Sequence, residues 1–243
     1  MGTTATPASG GKAPEARADL ALVAGDLRAR DVERWIACLW APPEARPACA
    51  AALALDLEMA RIVASLREPL LAEIRLAWWR ERLAALAAGG APPAQPLLRL
   101  LAGARPRLDP AALLPLEEAF CPLAGGRAFD AAAHARLRGA TLFAALHTAC
   151  EGSRAPGRDA ACAAGEAWAW AELARGGAAP SLPPPGTFSI PMARLPRPLR
   201  ALAALADRDL ARARAGRILR ARGTAGRQLA MARAALFPPR AGA

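Results

Sequence analysis

Few residues in this 243-residue chain could do covalent chemistry. Its two histidines, His134 and His147, stand 13 positions apart. They miss the i, i+4 spacing that sets two metal ligands on one helix face. Serine is scarce, and the chain contains no G-x-S-x-G elbow, no phosphate-binding G-x-x-x-x-G-K loop and no G-x-G-x-x-G turn. The five cysteines (Cys38, Cys49, Cys121, Cys150, Cys162) are odd in number and form no C-x-x-C pair. This spacing predicts neither a zinc site nor a disulfide framework, but free and mostly buried thiols in a reducing compartment.

Charge is the more informative signal. Lys and Arg total 32 against 21 Asp and Glu, a formal +11. The basic residues are arginines except Lys12, and Asn and Tyr are absent while Ala, Gly, Pro and Arg abound. GC-rich coding accounts for the preference of Arg over Lys but not for the surplus of positive charge. A surplus of this kind suits an anionic partner such as nucleic acid, lipid headgroups or phosphates. Its densest stretch lies near the C-terminus, with Arg208, Arg212, Arg214, Arg217, Arg220 and Arg222. Nucleic acid is disfavoured. The tryptophan pairs Trp78/Trp79 and Trp168/Trp170 lack interleaved basic residues and read as packing groups.

The elements that must position these residues read as all-α. β-Branched runs are missing, and the long segments are rich in the helix formers Ala, Leu, Arg and Glu. Pro and Gly clusters divide them, among them Gly125-Gly126 and the stretch from Gly176 to Gly186. Asp31 is a plausible N-cap for a helix through Trp40. Further helices are predicted over about 44–66, 69–87, 96–101, 110–119, 129–150, 158–175 and 198–236, the last with a break at Gly223. The apolar row Leu53, Leu57, Ala60 and Ala64 predicts the buried face of the second helix. In the third, Leu71, Ile74 and Trp78 predict an apolar stripe that Trp79, Leu83 and Leu86 widen. The expected architecture is a single bundle of about eight to ten helices spanning residues 19–236, after a disordered lead-in over 1–18 and before a tail over 237–243. No apolar run reaches the length of a membrane span, and the N-terminus lacks the apolar core of a secretory signal, so a cytoplasmic location is expected.

One stretch carries more than composition. The segment EPLLAEIRLAWWRERL, from Glu68 to Leu83, is similar almost letter for letter to the E-P-x-L-x-E-I-R-L-x-W-W-R run of the squalene/phytoene synthase family. Pro42 or Pro43, Arg46 and Ala48 match that family's P-x-x-x-R-x-A opening. Downstream, GEAWAWAELARG followed by GTFSIPMARL resembles its segment ending N-I-L-R-D and then G-R-x-Y-L-P-x-x-x-L, with Arg175, Gly186, Pro191 and Leu195 on pattern. The resemblance covers roughly residues 30 to 235. It implies an isoprenoid-synthase bundle in which two Asp-rich motifs on facing helices hold Mg²⁺ around a prenyl diphosphate. Hard cations stabilise the departing diphosphate there, and an apolar cavity shelters the carbocation.

The chain departs from the family pattern where that chemistry is carried. The first Asp-rich motif falls near Ala60, Arg61, Ile62, Val63 and Ala64. Gly176 stands where an Asp follows the family's Arg, and Arg136, Leu137 and Arg138 replace aromatic and acidic residues ahead of Thr141. The pattern resembles the family's non-catalytic branch, which includes an assembly factor of the respiratory NADH dehydrogenase. It implies no cofactor and an isoprenoid or lipid-like ligand. It also implies a link to a respiratory-complex subunit and peripheral contact with the inner face of a membrane. Arg46, Asp56, Glu58, Arg75, Arg80 and Arg175 are the expected ligand contacts, and no catalytic or metal residues are expected. Glu58 also suits a pair with Arg61. The alternative is an active Mg²⁺-dependent prenyltransferase joining prenyl diphosphates head to head, with Asp56 and Glu58 as rearranged ligands.

Overall fold

The structure is a computed structural model that describes residues 12–66, 68–124, 129–179 and 181–237. Among the described residues ten α-helices run in order: α1 (Lys12–Arg30), α2 (Val32–Leu39), α3 (Arg46–Ser65), α4 (Pro69–Ala87), α5 (Pro96–Gly103), α6 (Pro115–Ala124), α7 (Ala131–Glu151), α8 (Arg158–Arg175), α9 (Arg197–Arg214) and α10 (Ala225–Leu236). Two short 3₁₀ turns, Pro110–Leu113 and Met192–Arg194, lie between them, and no strand occurs among the described residues. The expected all-α bundle is what the chain forms.

Local chemistry sets the ends. Asp31 caps α2 by accepting hydrogen bonds from the backbone N–H groups of Glu33 and Arg34 at 3.1 and 3.2 Å. Asp130 caps α7 in the same way through Ala132 and Ala133. Proline occupies the first turn of α3, α4, α5 and α9, where a missing N–H costs nothing.

α3 forms the centre. From Ala48 to Asp56 every residue is buried, and Met59 and Ile62 continue the buried side. A helix enclosed all round must be lined with small or apolar groups, and alternating Ala and Leu supplies them. Leu27, Leu76, Leu83, Leu98, Phe120 and Phe143 pack into the same continuous core.

α7 and α8 are the most closely joined pair, and the reason is two glycines. A Cβ at Gly139 would lie 2.1 Å from the Gly165 carbonyl oxygen, and one at Gly165 would lie 2.0 Å from that of Gly139. The two backbones therefore touch. The Phe143 and Trp168 rings meet just beyond, 5.5 Å apart.

Four expectations need correction. A helix, α1, begins at Lys12, inside the stretch read as a disordered lead-in; residues 1–11 lie outside the described residues, as do 238–243 of the C-terminal tail, the Gly125-Gly126 break and Pro180. The segment 110–119 divides into a 3₁₀ turn and α6. In α3 the row Leu53, Leu57, Ala60 and Ala64 does not stay buried: Ala64 is exposed, while Asp56, Met59 and Ile62 face inward. Alanine on every side of that helix blurs the period. In α4 the predicted stripe splits, so that Ala72, Leu76, Trp79, Leu83 and Leu86 are buried whereas Leu71, Ile74 and Trp78 are exposed. The break near Gly223 is real and widens into a connection from Ala215 to Thr224.

Gly139→Ala and Gly165→Ala each force a methyl group into a backbone carbonyl. Each is expected to lower unfolding free energy by about 1–3 kcal/mol or more, measured by urea denaturation. Gly103→Ala, where an added Cβ meets nothing within 4 Å, is the control and should not lower it.

Candidate functional site

The centre of the bundle holds charge. Arg34 on α2 is almost wholly enclosed, at 1% exposure, and Asp56 on α3 is fully so. Arg34 donates to Asp56 Oδ2 at 2.6 Å, to Glu172 Oε2 on α8 at 3.1 Å and to the Leu53 carbonyl at 3.3 Å. Its Nε lies 3.0 Å from Asp31 Oδ2. From α7, Arg138 grips both oxygens of Asp56, Nε to Oδ1 at 2.7 Å and a terminal nitrogen to Oδ2 at 2.8 Å. The guanidinium carbons of Arg34 and Arg138 lie 5.0 and 4.9 Å from the centre of the Trp168 ring. Each cation thereby gains an aromatic face as well as a carboxylate. Because Gly139 and Gly165 bring α7 against α8, Arg138 reaches the same ring that Arg34 meets from α2.

The pairing continues without a gap. Arg222, in the connection before α10, donates to both oxygens of Glu172 at 2.7 and 2.8 Å and lies 2.8 Å from Asp31. Glu33 receives Arg227 of α10 at 2.6 and 2.8 Å, and Arg222 lies 3.9 Å from it. Arg227 also binds Asp209 of α9, and Arg175 of α8 completes the chain by donating to Asp209 at 2.6 Å. Five arginines meet five acids: Arg34, Arg138, Arg175, Arg222 and Arg227 against Asp31, Glu33, Asp56, Glu172 and Asp209. The cluster is formally neutral.

Burial pushes the Asp56 carboxyl up, but Arg138 and Arg34 outweigh it and hold the group at about 2. Burial acts on Glu172 in the same direction; Arg222, Arg34 and Arg138 prevail, and it too sits at about 2. Burial works against the charge on Arg34, yet Asp56, Glu172 and Asp31 raise its pKa above the ordinary arginine value. Beside the cluster, His134 on α7 donates from Nδ1 to the Ala119 carbonyl at 2.7 Å in the tautomer that pairs this bond. Burial first, and Arg138 second, lower its pKa to about 4, so the ring is neutral at pH 7.

The expected ligand contacts do not gather in one place. Asp56 and Arg175 belong to the buried cluster, and their polar atoms face arginine and carboxylate partners. Glu58 pairs with Arg61 at 2.5 Å and receives Arg30 at 3.4 Å. Arg46 donates to the Ala41 and Leu39 carbonyls at 3.2 Å each and stands beside a separate groove with Pro42, Glu151 and Arg197. Arg80 approaches Glu117 at 3.9 Å. Arg75 faces another apolar groove, and it forms no ion pair among the described residues. That groove, about 350 Å³, is lined by Glu58, Ile62, Ile74, Arg75, Trp78, Trp79 and Gln95. A second hollow of about 230 Å³ between α1, α3 and α5 shares Glu58 and Gln95 with it. The buried Gln95 Oε1 accepts no hydrogen bond among the described residues. Among those residues, too, no three His, Cys, Asp or Glu side chains are grouped so as to hold a metal ion.

Sequence reasoning missed Arg34, Glu172, Arg222, Arg227 and Gln95 as members of a site. Only Asp31, Glu33 and Arg34, three charges inside one short apolar helix start, carried a local signal. The rest pair across separations of 18 to 194 residues, which no spacing rule reaches.

Removing one partner from this cluster strands a buried charge. Arg138→Met is expected to cost about 3–5 kcal/mol in urea unfolding, and Arg138→Met with Asp56→Leu should recover part of that loss. The acid limb of stability follows from the pKa directions. His134 sits below its ordinary 6.5, so its contribution is complete above pH 6.5 and declines toward pH 4. Asp56 and Glu172 sit below 3.8 and 4.5, so theirs is complete above about pH 4.5 and is lost toward pH 2. Thermal melts should therefore weaken in two stages on acidification, and His134→Gln should flatten the stage between pH 6.5 and 4.

Comparison with known proteins gives one positive finding. A family model described as squalene/phytoene synthase matches residues 27–176. This span holds α2 to α8 and the Glu68–Leu83 run, and it stops short of the expected limit near residue 235, so the GTFSIPMARL segment lies beyond it. No curated protein matches the chain, and no solved structure does. The match takes in most of the chain, and its helical bundle agrees with it: the chain belongs to the squalene/phytoene synthase family.

Proposed function

We propose that the chain is a non-catalytic member of its family that binds an apolar or isoprenoid-like ligand and, through that binding, assists assembly of a membrane complex. The observation that carries this reading is the one-for-one matching of acids by arginines inside the bundle. Magnesium needs carboxylate oxygens with free lone pairs. Asp56 and Glu172, the inward-facing acids of α3 and α8, already spend theirs on Arg34, Arg138 and Arg222. The residues present therefore do not fit the metal that ionisation of a prenyl diphosphate requires, and Arg34 and Arg138 are too enclosed to meet a substrate.

The groove beside α4 is the better ligand site. Ile62, Ile74, Trp78 and Trp79 give an apolar wall, and the exposed Arg75 sets a charge beside it. Such a mixture suits a chain-like hydrocarbon with a polar head. The open form of the groove favours holding and release over the enclosure that a carbocation demands.

Titration with farnesyl diphosphate, followed by tryptophan fluorescence, should give saturable binding without Mg²⁺. Arg75→Gln should weaken it about tenfold, as loss of a hydrogen bond to a charged group does. Ile74→Asp should weaken it further. No pyrophosphate should be released on adding Mg²⁺; release would reinstate the prenyltransferase alternative, and absence of saturable binding would remove the ligand reading.

A further inference from the structure

The C-terminal unit lies beyond the matched family span, and its surface has a character of its own. Residues 197–236 hold ten arginines against Asp207 and Asp209, a formal +8 of the chain's +11. Part of this unit is tied inward. Arg222 and Arg227 enter the buried cluster, Arg200 donates to the Leu195, Ala234 and Ala235 carbonyls, and the Gly223 N–H donates to Glu33 at 2.9 Å. At Gly223 φ is +73°, and a Cβ there would stand 2.6 Å from Val32. The base of the 215–224 connection is thus pinned to α2.

What the pinned base holds outward is different. Ile218, at the tip, is 89% exposed, the most exposed large apolar side chain among the described residues. Arg212 donates twice to the Ile218 carbonyl, at 3.1 and 2.8 Å, which shapes the turn without covering the side chain. Arg217 and Arg220 flank it, and with Arg208 they form no ion pair among the described residues. A hollow of about 260 Å³ next to the tip is lined by Arg208, Arg212, Arg220, Gly226 and the already paired Arg227 and Asp209. From Gly226 the outward row of α10 runs on through Leu229, Arg233 and Leu236 at i, i+3, i+7 and i+10, and Leu229 is 71% exposed. The surface alternates unpaired guanidinium with bare aliphatic groups.

We infer that this surface docks on an anionic lipid bilayer: Arg208, Arg217 and Arg220 meet lipid phosphates while Ile218 enters the acyl boundary. Charge complementarity selects an anionic partner, and the projecting aliphatic tip selects a bilayer over a polyanion. Nucleic acid offers phosphates, but readers of single strands present aromatic platforms, and residues 197–236 contain no aromatic side chain. A bilayer offers both the phosphate layer and the hydrocarbon that Ile218 and Leu229 lack. No helix among the described residues is long and apolar enough to cross a membrane, so the contact is peripheral. The inference stands apart from the ligand groove on α4.

Co-sedimentation of the full chain with phosphatidylcholine vesicles, with and without about a third phosphatidylserine, tests it. Binding should require phosphatidylserine and fall steeply between 0.1 and 0.5 M salt. Arg217→Gln with Arg220→Gln should weaken binding about 30-fold, about fivefold for each arginine near the surface. Ile218→Ser should weaken it about tenfold, the worth of one buried isoleucine. Both variants should keep the wild-type melting temperature, since neither touches a buried group. Equal binding to both vesicle types would overturn the inference. So would unchanged binding by the double variant, or capture of duplex DNA by the same arginines with no vesicle binding.

Discussion

A carboxylate in the middle of a helical bundle must be neutralised, and the means chosen determines what the protein can do. Here the counter-ions are covalent parts of the chain. Arg34 and Arg138 clasp Asp56 from two sides, and the alternation of guanidinium and carboxylate then extends through Glu172, Arg222, Glu33 and Arg227 to Asp209 and Arg175. A diffusible metal could exchange, take up a water or release a product. A guanidinium on a packed helix cannot. The arrangement is fixed, and it ties the matched family region to a C-terminal unit outside it.

Burial of so much charge is costly unless geometry is good. The geometry depends on small residues elsewhere. Alanine lets α3 be enclosed on every side, and the Gly139–Gly165 contact brings α7 close enough for Arg138 to share Trp168 with Arg34. The neutral His134 beneath Phe120 and Phe129 fits the same environment, in which any further positive charge beside Arg138 would be repelled.

Much of the scaffold was legible in the sequence because its signals are local. Caps such as Asp31, prolines in first turns and the Glu68–Leu83 run each declare a helix or a family within a few residues. The site was less legible because its signals are not local. Asp56 was an expected ligand contact, but the partners it meets are arginines on α2 and α7. The Arg136-Leu137-Arg138 departure read as a loss of acidic groups, and the structure turns it into a gain: Arg138 supplies the cation. The stripe on α4 failed for a related reason. Periodicity finds apolar residues and cannot say which side of a helix is left uncovered, so Ile74 and Trp78 line a groove instead of the core.

The touching backbones of α7 and α8 have one more effect. Where two main chains meet, no hydrocarbon can slide between them, so α7 and α8 cannot part at Gly139 and Gly165. Space opens instead where side chains hold neighbours apart, as beside Ile62, Ile74 and Trp78 on α3 and α4.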